Sequence, residues 1–237
     1  MRVRLLTLLV LALCLGGCTY RAQVRRGIYR GPENALKINA SVLVISDENI
    51  PQELFIGDTE NNGLQSFLLE TKDGVTAAVT DALGTLFATA EAGSANLRAG
   101  YPFWADVTVK SGLTRTPCEW ETPAWAARNE GLCTVLTVVI RRTDGENIAQ
   151  AQASRWQEFR TPGLAAAVRW LNKYTLIFSP VLTPIYMQSK GHALRKQFED
   201  NLTEALQDIT AQLAQQRTAF ESGLQNKMPE TAQNYVE

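Results

Sequence analysis

Apolar and polar positions alternate most regularly over residues 38–45. One face carries four apolar residues: Ile38, Ala40, Val42 and Val44. Leu43 and Ile45 make the other face apolar near the end of the segment, which is typical of a strand inside a sheet. Segments with a similar or weaker pattern predict five further strands: 53–56, 64–70, 101–110, 132–142 and 147–159.

The last two predicted strands form a hairpin. Asp144-Gly145 lies between them, and this dipeptide favours a two-residue turn because glycine adopts a positive φ without strain. We therefore expect a long antiparallel pair whose first strand begins next to Cys133.

Two segments follow the three- and four-residue steps of an amphipathic helix. The first covers residues 73–93 and ends near Gly93. The second, over residues 193–220, carries a continuous apolar stripe: Leu194, Phe198, Leu202, Ala205, Leu206, Ile209 and Leu213. This second helix either packs on the sheet or binds a partner. Packing is favoured because helix propensity alone seldom stabilises a lone helix in water.

The order of these elements defines the expected fold class. Strands, a helix, a strand, a hairpin and a final helix are typical of an α+β fold, in which helices pack on one face of a mainly antiparallel sheet. We expect a single domain over residues 38–222, followed by a polar tail over 223–237 that frays.

The start of the chain has the layout of a secretory signal. Arg2 and Arg4 precede an unbroken apolar run over residues 5–15. At about 11 residues, this run is too short to span a bilayer that requires roughly 20. We therefore expect residues 1–17 to be removed as a signal peptide.

The signal ends in Leu15-Gly16-Gly17-Cys18, which resembles the lipobox of bacterial lipoproteins. The resemblance implies cleavage before Cys18, a diacylglycerol on its thiol and an acyl chain on the new amine, which together anchor the mature protein in a membrane. Thr19 follows the cysteine where enterobacterial retention in the inner membrane uses Asp. The resemblance therefore favours the periplasmic face of the outer membrane. The alternative is an ordinary secreted protein that is cut at another small residue.

Residues 18–37 are expected to form a flexible tether behind this lipidated N-terminus. Basic residues outnumber the single acidic residue Glu33, and glycine and proline interrupt any helix. Fully extended, about 19 residues reach roughly 60 Å. The arginines of the tether either contact anionic lipid head groups or are simply solvated.

Composition indicates a globular protein, with 45% hydrophobic and 20% charged residues. Loss of the two signal arginines from 23 basic side chains leaves 21, against 24 acidic ones. This balance leaves no excess of positive charge that would bind DNA or RNA, so we expect no nucleic-acid partner.

Cys118 and Cys133 are the thiols that remain once Cys14 leaves with the signal peptide and Cys18 is acylated. In an oxidising compartment they are expected to form a disulfide. Such a bond would close a loop of about 15 residues and contribute on the order of 3 kcal/mol to stability. Metal binding by two thiols without a nearby histidine is the weaker alternative, and we expect neither a metal nor a cofactor.

The most unusual segment covers residues 170–187, where two prolines interrupt a nearly apolar stretch with aromatic edges. Its candidate contact residues are Trp170, Tyr174, Leu176, Ile177, Phe178, Val181, Leu182, Ile185 and Tyr186. Amphipathic rings favour a loop that enters a membrane interface or contacts a partner or ligand. The segment could instead line the core, and the sequence favours the core because large exposed apolar patches are uncommon on monomers.

Other candidate chemistry is weaker. Residues 58–63 look like the front half of a calcium loop, but its twelfth position is Leu69 instead of a carboxylate, so we expect a polar turn. The single histidine, His192, excludes the usual catalytic triads and multi-histidine metal sites, and we expect it to be structural. Carboxylate pairs such as Glu119 and Glu121 are expected to be solvated.

The sequence thus predicts a non-catalytic lipoprotein that is anchored in a membrane and binds another protein of the cell envelope. It would help to assemble or maintain a complex. The first alternative is a carrier for a lipid or other apolar ligand, with residues 176–186 as a pocket wall or lid. The second alternative is an envelope glycan hydrolase, which would require two carboxylates at a suitable separation.

Overall fold

A computed structural model of the chain describes residues 19–29, 31, 37–47, 49–57, 66–114, 117–120, 130–160, 162–174 and 179–225. The strands in these ranges are β1 (Thr19–Gln23), β2 (Ile38–Ile45), β3 (Glu53–Gly57), β4 (Ser66–Glu70), β5 (Phe87–Gly93), β6 (Phe103–Thr114), β7 (Gly131–Arg142) and β8 (Asn147–Glu158). The α-helices are α1 (Lys72–Leu86), α2 (Gly163–Tyr174), α3 (Ser179–Gln215) and α4 (Arg217–Gln225), and a short 3-10 helix covers Ala95–Gly100.

The strands form two sheets, and both are mixed. The larger has the order β5-β2-β6-β7-β8, in which β2 is parallel to β5 and β6 while the remaining pairs are antiparallel. The smaller has the order β1-β4-β3, with β1 parallel to β4. The predicted hairpin is confirmed as β7 and β8. The β2–β5 pair is parallel because the chain passes through α1 before it enters β5, and this long crossover returns it in the direction of β2.

The α+β fold class and the packing of helices on one face are confirmed. Inward residues of the larger sheet, such as Val107 and Val138, join one apolar core with residues of α1 and α3, such as Val79 and Phe198. The entire stripe predicted for the last helix is buried in this core. Burial of this apolar surface holds α3 against the sheet.

Gln212 of α3 and Gln216, which directly follows this helix, form hydrogen bonds with the backbone of two residues of the edge strand β8. The side chain of Gln212 accepts from the backbone N–H of Gln152 at 3.3 Å and donates to its carbonyl at 3.0 Å. Gln216 does the same for Gln150, at 3.4 and 3.0 Å. Unpaired backbone groups on an edge strand invite a foreign strand to add. The glutamine side chains occupy these groups of β8.

The predicted tether over residues 18–37 is wrong for residues 19–29. Thr19 begins β1, which pairs with β4 from Thr19–Ser66 to Gln23–Glu70. Ala22, Val24 and Tyr29 are buried. Their apolar side chains lie between the basic residues of this segment, so tertiary packing overrides its polar composition.

The segment of residues 19–29 also packs along the length of α3. Three contacts tie it to this helix: the Tyr20 ring on Gly191, the Arg25 amide donating to the Glu199 carboxylate at 3.0 Å, and the hydrogen-bonded hydroxyls of Tyr29 and Thr210 at 3.3 Å. The contacts on α3 extend over roughly 28 Å at about 1.5 Å per residue. The N-terminal segment is therefore an integral part of the folded domain.

The first predicted helix ends earlier than expected. α1 stops at Leu86, and residues 87–93 form strand β5 beside β2. Phe87 is fully buried and its backbone is extended. Pairing with β2 and burial of Phe87 override the helix-favouring alanines of this segment, because strand formation depends on context more than helix propensity does.

The last predicted helix begins earlier than expected. α3 starts at Ser179 instead of residue 193 and includes Pro184. Pro180 lies in the first turn, where a missing N–H costs nothing. His192 is consequently inside the helix, and its ring packs edge-on against Tyr20 at a centroid distance of 5.9 Å. At the other end, α4 extends to Gln225, three residues into the predicted tail.

We predict that Gln212→Ala lowers the free energy of unfolding by about 1–2 kcal/mol, because two hydrogen bonds to β8 are lost. Urea denaturation measures the change. Gln207→Ala is the control, since Gln207 is an exposed glutamine of the same helix, and we expect it to change stability by less than about 0.5 kcal/mol. Equal effects of the two substitutions would contradict a role of Gln212 at the sheet edge.

A second prediction compares two glycines of α1. A Cβ at Gly74 would lie 2.6 Å from the carbonyl oxygen of Val24, whereas the nearest atom to a Cβ at Gly84 is 4.0 Å away. Alanine is intrinsically better than glycine in a helix by about 1 kcal/mol. Gly84→Ala should therefore stabilise the protein, while Gly74→Ala should destabilise it and displace the N-terminal segment.

Urea denaturation measures the stability of both glycine variants, and limited trypsin digestion after Arg25 measures the displacement. Gly74→Ala should be cut there faster than Gly84→Ala and the unchanged protein. A Gly74→Ala variant that is as stable and as resistant as the unchanged protein would refute the close packing of Val24 on α1.

Candidate functional site

The sequence-predicted contact residues fall on a helical hairpin formed by α2 and the first third of α3. The two helices pack against each other. None of the helices in the described ranges combines the length and hydrophobicity that a bilayer span requires.

The structure separates the predicted contact residues into two groups. Trp170 and Ile185 are 63% and 40% exposed, whereas Tyr186 is buried and Leu182 packs against the core. The side chains of Tyr174 and Val181 fall outside the described part of the structure, as do residues 176–178. The described residues of the segment 170–187 therefore include both buried core residues and exposed surface residues.

The apolar face of α2 was not predicted from the sequence. Leu164, Ala167, Trp170 and Leu171 are all exposed, and their spacing places them within about 120° of the helix circumference. The spacing of these residues after Pro162 was the signal that could have revealed this helix. An amphipathic helix normally turns such a face inward, so an outward apolar face indicates a contact surface.

The hairpin lies in a purely basic stretch of the chain. Residues 160–198 contain no aspartate or glutamate and six basic residues: Arg160, Arg169, Lys173, Lys190, Arg195 and Lys196. Arg160 and Lys196 are exposed. Within this stretch, Lys190 is buried and Arg195 pairs with Glu199 at 3.8 Å, so the charge that belongs to α2 itself is that of Arg169 and Lys173.

Lys190 fixes the start of α3 to the domain. Its side chain is buried, and its ammonium lies 5.7 Å from each of the rings of Phe67, Phe159 and Tyr186. A buried cation requires compensation, and aromatic faces supply part of it. Since Phe67 belongs to β4 and Phe159 follows β8, the rings connect this part of α3 to both sheets.

The chain enters the fold beside the hairpin. Tyr20, the second residue of β1, packs on Gly191, where an added Cβ would lie 2.2 Å from the tyrosine ring. Ile185 lies six residues before Gly191 in α3, which corresponds to about 9 Å of helix. Ile185 and the first residues of β1 therefore lie at the same end of α3.

The opposite face of the larger sheet carries a second, smaller cluster. Trp104 packs with Leu43 and Ile45, and the guanidinium groups of Arg98 and Arg141 lie 4.2 and 5.4 Å from the centre of its ring. The arginines partly cover the ring through cation–π contacts.

Two pKa shifts occur near this second cluster. A hydrogen bond from the Arg142 guanidinium lowers the pKa of Asp144. A hydrogen bond of 2.6 Å to Glu91 raises the pKa of Tyr101. Each shift has a local polar partner as its main cause, so neither indicates a catalytic group.

A shallow cleft lies between the start of α1 and the ends of β2 and β5. It is lined in part by Arg26, Ser46, Lys72 and Asp73. Arg26 and Asp73 form an ion pair at 2.6 Å across it. Within the described ranges, no three His, Cys, Asp or Glu side chains come together in a way that could hold a metal ion.

Two sequence candidates fall partly or wholly outside the described residues. These are the predicted polar turn over residues 58–63 and Glu121 of the carboxylate pair. Both remain predictions.

The predicted disulfide between Cys118 and Cys133 is confirmed, with a Cα–Cα distance of 5.2 Å. Cys133 lies in β7 opposite Gly112 of β6. Trp120 covers this glycine, since an added Cβ would lie 2.9 Å from the Trp120 ring. The disulfide therefore holds residues 117–120 against the sheet.

We predict that reduction of this disulfide lowers the free energy of unfolding by about 3 kcal/mol, because it frees a loop of roughly 15 residues in the unfolded chain. Urea denaturation with and without reductant measures the change. The double variant Cys118→Ala and Cys133→Ala is the control and should not respond to reductant. An unchanged midpoint of the reduced natural protein would contradict a stabilising role.

Comparison with solved structures gives remote likenesses, of which two are described here. One is the protein XCC0632 from Xanthomonas campestris, of family DUF330, with a TM-score of 0.47 and 11% identity over 85% of this chain and 98% of that one. The other is a homolog of a neuraminyllactose-binding hemagglutinin from Helicobacter pylori, with a TM-score of 0.41 and 7% identity over 86% of this chain and 100% of that one. Likenesses this remote carry no argument about this chain. No family model and no curated protein matches it.

Proposed function

We propose that this chain is a lipid-anchored, non-catalytic protein of the bacterial envelope that binds another envelope protein at the periplasmic face of the outer membrane. The observation that carries the proposal is the position of β1. Its first residue, Thr19, directly follows Cys18 and already pairs with β4. The proposed lipid attachment point is therefore joined to a folded strand without an intervening tether.

Direct attachment determines where the domain acts. Adjacent Cα atoms are about 3.8 Å apart, so acyl chains on Cys18 would hold the domain at the membrane surface. A partner must then lie at or close to the same membrane. A role in assembling or maintaining a membrane-associated complex suits this restricted position.

The carrier function has less support from the described residues. Leu182 packs against the core, and Tyr186 and Met187 are buried in it. These residues contact the rest of the domain, so they are not available as the wall of a ligand pocket.

The anchor is tested by mass spectrometry of the protein purified from membranes. We predict a mature chain that begins at Cys18 and carries a diacylglycerol and an N-acyl group. Cys18→Ala should accumulate as an uncleaved precursor without the lipid mass. Cys14→Ala is the matched control, because Cys14 lies within the signal peptide, and it should be processed normally. A free thiol on Cys18, or cleavage at another position, would refute the anchor.

The partner is sought by cross-linking in intact cells. The natural protein should cross-link to at least one envelope protein, and deletion of its gene should reduce the amount of the corresponding complex. Cys18→Ala should fail to restore that complex. An unchanged envelope, together with turnover of glycans by the purified protein, would favour the hydrolase alternative instead.

A further inference from the structure

We infer that the exposed apolar face of α2 and the start of α3 lies on an anionic lipid surface and sets the orientation of the domain on its membrane. The inference rests on the proposed lipid anchor and adds a second membrane contact to it. The occupant is the interface of a bilayer with anionic head groups. We call this face the hairpin face, defined by Leu164, Ala167, Trp170, Leu171 and Ile185.

The residue types of the hairpin face suit a membrane interface. Leu164 and Leu171 provide aliphatic surface, and the large ring of Trp170 prefers the boundary between hydrocarbon and water. All three side chains are at least 42% exposed. A helix with this arrangement lies in the plane of the interface instead of crossing the bilayer.

The charge around the hairpin face selects the kind of surface. Helix α2 itself carries two basic residues, Arg169 and Lys173, and no acidic residue, and basic residues near a membrane favour anionic lipids by about 1 kcal/mol each. A protein partner with an acidic rim would suit the same charges. The proposed anchor favours lipid, because it would hold the domain at a bilayer whether or not a protein partner is present.

The anchor brings lipid to this face. Tyr20, which is two residues after Cys18 in the sequence, packs on Gly191 of α3. Ile185 is about 9 Å away along the helix. A weak interfacial contact becomes occupied when a linked anchor raises its local concentration. Since Lys190 fixes this part of α3 to the domain, contact by the hairpin face would also fix the orientation of the domain.

The test places one fluorescent label on the mature, lipidated protein in vesicles. An added cysteine would be the single free thiol, because Cys18 is acylated and Cys118 is paired with Cys133. Leu164→Cys carries the label on the hairpin face. Leu97→Cys is the matched control, because Leu97 is 50% exposed and contacts the opposite face of the sheet near Leu43.

Lipids with a quencher in the upper part of their acyl chains report contact with the bilayer. We expect the label at position 164 to lose most of its emission in anionic vesicles, and much less in zwitterionic vesicles or at high salt. The label at position 97 should keep its emission throughout. Ile185→Cys is a second position on the same face and should behave like Leu164→Cys.

Four outcomes would overturn the inference. The labels at positions 164 and 97 could be quenched to the same extent, or the label at position 164 could show no quenching. Equal quenching in anionic and zwitterionic vesicles would refute the selection of anionic lipid. A label at 164 that is shielded from water equally in detergent and in lipid would place the face in a contact with protein or with a second copy of this chain. Mass spectrometry of the same samples separates these results from failure of the anchor, which would appear as unmodified Cys18.

Discussion

The packing of the N-terminal segment along α3 determines how the folded domain is joined to Cys18. Tyr20 contacts the helix at Gly191, Arg25 contacts Glu199, and the hydroxyl of Tyr29 meets that of Thr210. These contacts, together with the pairing of β1 and β4, make the residues after Cys18 part of the domain. If the segment were free, a lipid on Cys18 would only limit how far the domain diffuses. Because it is packed, the same lipid would fix which side of the domain is nearest the membrane.

α3 also determines which surfaces remain available for binding. Its buried stripe holds the larger sheet, and Gln212 and Gln216 occupy the backbone groups of β8. Strand addition at β8 is therefore disfavoured. Binding at this side of the molecule has to use side chains on the faces of the domain. The hairpin face and the cluster around Trp104 are two such surfaces on opposite sides of the larger sheet.

The sequence predicted the elements whose local pattern agrees with their tertiary environment. β2, the hairpin with Gly145 at its turn, the disulfide and the buried stripe of α3 belong to this group. The failures occur where tertiary contacts override local composition. β1 lies among arginines and glycines, and its pairing with β4 depends on residues more than 40 positions later. Residues 87–93 are rich in alanine but form a strand because they pair with β2 in the larger sheet. Trp170 was identified as a contact residue, whereas Leu164 and Leu171 were missed because α2 itself was not predicted.

Hydrogen exchange of the mature protein measures directly whether the N-terminal segment is packed against β4 and α3. A packed N-terminal segment requires slow exchange of the amides that point towards β4, such as that of Val24, which donates to the carbonyl of Glu70 at 3.0 Å. We expect these amides to be protected, although less than those of β4, because β1 is an edge strand whereas β4 is paired on both sides. Exchange of residues 20–24 at the rate of an unstructured peptide, while β4 and α3 stay protected, would contradict direct attachment of the domain to its anchor.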